Sequence, residues 1–149
     1  MAKIPKSILP ILVFSLSTLL FPLDLIGIRY QCTGTEIFPD FYASPFIYKS
    51  TSLATSMAYD YYILGLLGNT LVWGFFFFSI HQLIVHFIGK RKTLIKLYKL
   101  VLASLYIFLL IGNILEIQVS IQRIEWSIDI EEEAKLWGNV CEPQWFYQN

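Results

Sequence analysis

The chain has 149 residues, of which 56% are hydrophobic and only 15% charged, and its mean hydropathy is +0.57. Soluble domains carry about 25% charged residues. The composition therefore excludes a disordered chain and a nucleic-acid-coating surface, and it indicates a membrane protein. Eleven basic residues balance eleven acidic ones, so the net charge alone indicates no class of partner.

Three apolar stretches are long enough to be considered as membrane-spanning helices, which need roughly 20 residues. The first follows Lys3 and Lys6 but lacks a small-residue cleavage site, so a retained helix is favoured over a cleaved signal peptide. The second has no charge between Asp60 and Lys90. These stretches predict an all-α membrane protein, a single domain over 1–149 with three transmembrane helices at about 8–28, 61–88 and 97–117.

Charged residues divide between the two sides that these spans would define. The N-terminal stub and the inner loop 89–96, counted with Lys99, hold seven basic and no acidic residues, against four basic and eleven acidic on the opposite side. The positive-inside rule then predicts a plasma (inner) membrane protein with its N-terminus cytoplasmic and its C-terminus outside. The basic residues of the inner connection could also bind anionic lipid; they are Lys90, Arg91, Lys92, Lys96 and Lys99.

The outer loop 29–60 and the outer tail 118–149 would together form a small cap. Short strands are expected near 28–32 and 46–49, bounded by turn residues. Residues 118–130 fit either a strand or an outward continuation of the third helix, because their isoleucines satisfy both periods. A short helix is predicted over 130–137, with Asp129 as its N-cap and Gly138 at its end.

The two cysteines, Cys32 and Cys141, fall on the same outer side in this topology. That side is oxidising in bacteria and in secretory compartments, so a disulfide between them is predicted. The alternatives are two unpaired thiols, a link to another chain, or a redox-active thiol pair. The last lacks the usual C-x-x-C motif.

Several polar residues fall within or at the ends of the predicted spans, where they favour either helix packing or a polar path for a substrate. Two histidines five positions apart point about 140° apart on one helix, so they do not converge on a haem or a metal. We expect them to form hydrogen bonds between helices near the inner surface. The intramembrane polar candidates are Asp24, Asn69, His81, His86, Asn113 and Glu116.

No enzyme signature such as G-x-S-x-G, H-E-x-x-H or a P-loop is present, and no cofactor or metal is expected. The aromatic tail favours a non-enzymatic protein that contacts membrane lipids and a protein partner, as an accessory subunit or an immunity-type binder at the outer face. The alternatives are an oligomeric transporter or channel and a membrane thiol-disulfide protein. The tail aromatics are Trp126, Trp137, Trp145, Phe146 and Tyr147.

Overall fold

The computed structural model describes residues 8–20, 27–34, 38–53, 58–88 and 91–145, with the backbone alone for 116–120 and 145. These residues form four helices and six strands. The helices are α1 (Ile8–Leu19), α2 (Ile63–Ile88), α3 (Lys92–Ser120) and α4 (Ile130–Leu136). The strands are β1 (Ile28–Gly34), β2 (Phe41–Ala43), β3 (Ile47–Thr51), β4 (Tyr59–Tyr62), β5 (Ile121–Glu125) and β6 (Asn139–Trp145).

The all-α, three-span fold predicted from hydropathy is wrong. Of the described helices, α2 and the segment Lys92–Leu115 of α3 are long and apolar enough to cross a membrane. Helix α1 has 12 residues, so it extends about 18 Å, short of the roughly 30 Å of a bilayer's hydrocarbon core. Ile28, which was assigned to the first span, instead begins β1. A hydropathy count cannot distinguish the apolar residues of a helix from those of a strand.

The six strands form one mixed sheet in the order β5-β4-β3-β2-β1-β6. Neighbouring strands are antiparallel except β4 and β5, which are parallel. Parallel neighbours need a crossover connection, and here the hairpin of α2 and α3 provides it. The predicted outer loop contributes the four inner strands and the predicted tail contributes both edge strands, so the cap is one sheet.

Each face of the sheet packs against a different set of helices. On one face, Tyr42 and Tyr48 form a buried cluster with Leu19 of α1, and Leu66 and Trp73 of α2 pack against it. On the opposite face, Phe41 and Tyr62 pack with Ile130 under α4. The alternation of side chains along β2 places Phe41 and Tyr42 on these opposite faces.

A buried lysine lies on the face of the sheet that packs against α1 and α2. Lys49 is only 1% exposed, and its Nζ lies 4.5 Å from the ring centroid of Tyr59 and 5.0 Å from that of Tyr42. Aromatic faces attract a cation at such distances. Tyr42 and Tyr59 therefore provide cation–π contacts for the buried Lys49 side chain.

Helix α1 packs antiparallel on the half of α2 nearest the sheet. The Phe14 and Phe77 rings lie 5.1 Å apart, and the Ser15 hydroxyl donates to the Thr70 carbonyl at 3.0 Å. Elsewhere α2 and α3 are largely uncovered, with 17% and 6% of their most apolar windows buried. The core helix of a soluble protein would be mostly buried, so these surfaces require an apolar environment or a partner.

The predictions for the cap were more accurate than the fold class. Strands were expected near 28–32 and 46–49, and β1 and β3 confirm them. The Asp129 side chain accepts hydrogen bonds from the backbone N–H groups of Glu131 and Glu132, which confirms it as the cap of α4. Gly138 ends this segment with a positive φ of 66°. The ambiguous stretch 118–130 contains the end of α3 followed by β5.

Candidate functional site

Cys32 and Cys141 are directly opposite each other on β1 and β6. Their sulfur atoms lie at bonding distance and their Cα atoms 3.9 Å apart, as predicted for a disulfide. The pair joins residues 109 positions apart and fixes the edge strand β6 to the sheet. No free cysteine remains, since both thiols of the sequence are in this pair.

The two asparagines of the predicted spans bind different segments of the chain. Asn69 is fully buried, and its amide accepts from the N–H of Phe46 at 2.8 Å and donates to the Phe46 carbonyl at 2.6 Å. The side-chain nitrogen of Asn113 donates to the Ser17 carbonyl at 3.1 Å. Asn69 thus holds the β2–β3 turn against α2, and Asn113 holds α1 against α3.

The histidines occupy different environments near the far end of the hairpin. The Nδ1 atom of His81 lies 2.8 Å from the hydroxyl of Tyr98, which joins α2 to α3. His86 is exposed one turn later. The structure therefore brings one histidine into a bond between helices and does not bring the two together.

The remaining candidates lie at the two ends of the helices or outside the described residues. Asp24 and Lys90 lie outside that part of the chain, and Glu116 is described only as backbone within α3. The other basic residues of the connection are exposed near the start of α3, at the end of that helix opposite to the sheet. They are Arg91, Lys92, Lys96 and Lys99.

Sequence reasoning missed a cleft of about 490 Å³ on the face of the sheet that α4 only partly covers. Its floor comes from β3, β4 and β5, and Glu133 and Trp137 form one wall. Strand register explains its composition, because Asp60 pairs with both Ser50 and Arg123 and therefore shares their face. The sequence signal for this cleft was the polar Asp60 between Tyr59 and Tyr61, since alternation along a strand places Asp60 on the opposite face of the sheet from these two tyrosines.

No family model, curated protein or solved structure matches this chain. The chemistry of the cleft must therefore be inferred from its own residues.

The cleft contains three carboxylates and one guanidinium, which belong to Asp60, Glu125, Glu133 and Arg123. Arg123 is paired, since its Nη1 lies 2.9 Å from Oε1 of Glu125. The Oδ1 atom of Asp60 is buried and has no hydrogen-bond partner in the described part of the chain. Desolvation by burial, with repulsion from Glu125, raises the pKa of Asp60. Acidic side chains thus outnumber basic ones in the lining of the cleft.

Aromatic side chains complete the walls of the cleft. Phe38, Phe41, Tyr62 and Trp137 all line it. Burial raises the pKa of Tyr62 to about 12, against the opposing effect of a hydrogen bond with Ser50, so its phenol is neutral at pH 7. The Ser50 and Tyr62 hydroxyl oxygens lie 2.9 Å apart. The cleft therefore combines aromatic surface with a few polar groups, a composition typical of ligand-binding sites.

The described residues contain no group of three or more histidine, cysteine or carboxylate side chains placed to hold a metal ion. The acidic residues that open α4 contribute to the helix start, where Glu131 also lies 3.9 Å from Lys135. Acidic residues at this end favour the helix dipole. Of that group, Glu133 is the member that lines the cleft.

Proposed function

We propose that this protein is anchored in a membrane by α2 and α3 and that it binds a protein partner through its sheet, without catalysing a reaction. The anchoring is supported by the length of both helices and by their uncovered apolar surface. Large apolar side chains on both helices are exposed, for example Phe75, Phe87 and Leu100. Soluble monomeric proteins rarely expose so large a continuous apolar surface to water.

The proposed orientation has the sheet outside a plasma (inner) membrane and the α2–α3 connection in the cytoplasm. Two crossings return the chain to the side it left, which agrees with the parallel pairing of β4 and β5 across the hairpin. The basic residues from Arg91 to Lys99 then lie inside, as the positive-inside rule requires. The paired cysteines then lie on the oxidising side.

The cleft carries the proposal of partner binding. Small-molecule sites are typically concave, with aromatic walls, a few polar groups and a volume of about 300–1,000 Å³, so a cleft of that kind can also receive a side chain of a partner protein. The cleft lies within this range at about 490 Å³. Leu53, on its rim, is 64% exposed. A partner would cover this surface, as an outer-face binder of the immunity type requires.

Site-specific photocrosslinking in cells tests this proposal. A benzoylphenylalanine at Leu53 should crosslink to another protein, and protease added outside intact spheroplasts should digest the product. The matched control is Leu97 on α3, which has a similar exposure of 56%. Crosslinking from Leu97 alone would favour an accessory subunit that binds through its helices. No product from Leu53, or one resistant to external protease, would contradict the proposal.

A further inference from the structure

We infer that the cleft binds an arginine side chain of the partner protein. This inference deepens the proposed function and rests on it. The lining supplies both of the interactions that a guanidinium group makes: carboxylates for charge-assisted hydrogen bonds and aromatic faces for stacking. The same lining disfavours an acidic or phosphorylated segment, which would meet like charges and a desolvated carboxylate.

Two carboxylates are available for an incoming cation. Glu125 forms an ion pair with Arg123. The other two are Asp60 on the floor of the cleft, on which the Arg123 charge also acts, and Glu133 on its wall. The buried Oδ1 of Asp60 lacks a hydrogen-bond partner among the described residues. Because Asp60 also lines the cleft, its carboxylate can accept a charge-assisted hydrogen bond from an entering guanidinium.

The aromatic walls favour arginine over lysine. A guanidinium is planar and more weakly hydrated than an ammonium, so it stacks on rings such as Trp137 and Phe38 at a lower desolvation cost. Trp137 is half exposed, at 50%, and thus available to an incoming group. The cleft is also larger than one side chain, so the flanking residues of a short segment can enter with it.

The test uses N-acetyl-arginine amide as the probe and full-length protein in detergent micelles. Binding is followed through the ¹⁵N-indole resonance of Trp137. The arginine probe should shift this resonance in a saturable manner, and the neutral isostere N-acetyl-citrulline amide should not. Equal binding of the two probes, tighter binding of N-acetyl-lysine amide, or no saturable shift by arginine at tens of millimolar would overturn the inference.

Charge-removing variants locate the probe. Glu133→Gln and Asp60→Asn should each weaken binding by about tenfold, because each removes a charge-assisted partner. The matched control is Glu131→Gln on the same helix, since Glu131 is 88% exposed and does not line the cleft. Equal weakening by Glu131→Gln would indicate non-specific attraction and overturn the site. If Asp60→Asn fails to retain the native circular dichroism spectrum, Glu133→Gln alone decides.

The outcomes separate this inference from the proposed function. A crosslinked partner at Leu53 together with no arginine binding would refute the assignment of arginine and leave partner binding intact. Specific arginine binding without any crosslinked protein would refute the proposed function, while the chemistry of the cleft would stand.

Discussion

The first turns of α2 and its last turns have different neighbours, although both are rich in apolar residues. At the sheet, Gly65 lies against the main chain of β3, and Asn69 binds the backbone of Phe46. Towards the connection, Leu83 and Phe87 are 58% and 80% exposed. The end of α2 at the sheet therefore contacts other segments of the protein, whereas the end at the connection exposes its apolar side chains.

This difference shows which parts of the apolar sequence serve folding and which serve an external environment. Close contacts and buried hydrogen bonds concentrate where the helices meet the sheet, so substitutions there should lower stability most. At the connection end, lipid would replace protein contacts without loss, because hydrocarbon chains are as apolar as leucine. Substitutions in that region should have small effects on stability.

Removing the disulfide should have the largest effect, and it should be greatest at the sheet end. For Cys32→Ser combined with Cys141→Ser we expect a loss of about 4 kcal/mol, because the bond closes a loop of roughly 100 residues. Hydrogen exchange with mass spectrometry should show a larger acceleration in β1 and β6 than in α2 and α3. Uniform acceleration across both regions would contradict the separation of the two ends.

Gly65→Ala should have the next largest effect. A Cβ at this position would overlap the carbonyl of Ile47, which is main chain and cannot rotate away. We expect a loss of about 3 kcal/mol from overpacking, measured by SDS titration in mixed micelles. Gly74→Ala is the matched control, since its Cβ would meet the side chains of Leu12 and Ser15 and no main chain among its nearest atoms. Equal losses in the two variants would show that α2 does not depend on close approach to β3.

Asn69→Leu should cost about 2 kcal/mol, because it leaves the N–H of Phe46 without its partner and removes one of the two donors to the Phe46 carbonyl, which keeps the Ser44 N–H. The comparison is Asn113→Leu, which loses one bond to Ser17 but also removes a buried Oδ1 that has no partner in the described residues. Its loss should be smaller. The same SDS titration measures both, and a larger loss for Asn113→Leu would reverse this assignment of roles.

The sequence predicted the local structure of the cap better than its architecture. Asp129 and Gly138 carry their signals in residue type and spacing alone, and the cysteine pair was predicted from the charge count, which placed both residues on one side. The sheet has no such signal, because β2 is buried on every residue and has no polar alternation. Tyr61 and Tyr62 resemble the start of a span, yet they belong to β4. The parallel pairing of β4 with β5 joins segments on either side of the whole hairpin, which no local pattern encodes.

The candidate site could not be predicted for the same reason. Asp60 and Glu133 are separated by the two long helices in sequence and meet only through the sheet and α4. In the sequence, Asp60 is only the last charge before the second apolar stretch, and Glu133 is only one residue of the short helix predicted over 130–137. Trp137 was recognised as a contact residue of the tail, but the wall that it forms depends on how α4 packs on Phe41 and Tyr62.

The smallest effect should come from the hydrogen bond between His81 and Tyr98 at the connection end. His81→Phe should lower the free energy of unfolding by about 0.6 kcal/mol, the average for a hydrogen bond between membrane helices. His86→Phe is the matched control, because His86 is exposed and should change nothing measurable. SDS titration of both variants decides, together with Tyr98→Phe. A loss in His81→Phe as large as that of Asn69→Leu would mean that the connection end is fixed by its own contacts, and the contrast between the two ends would then be lost.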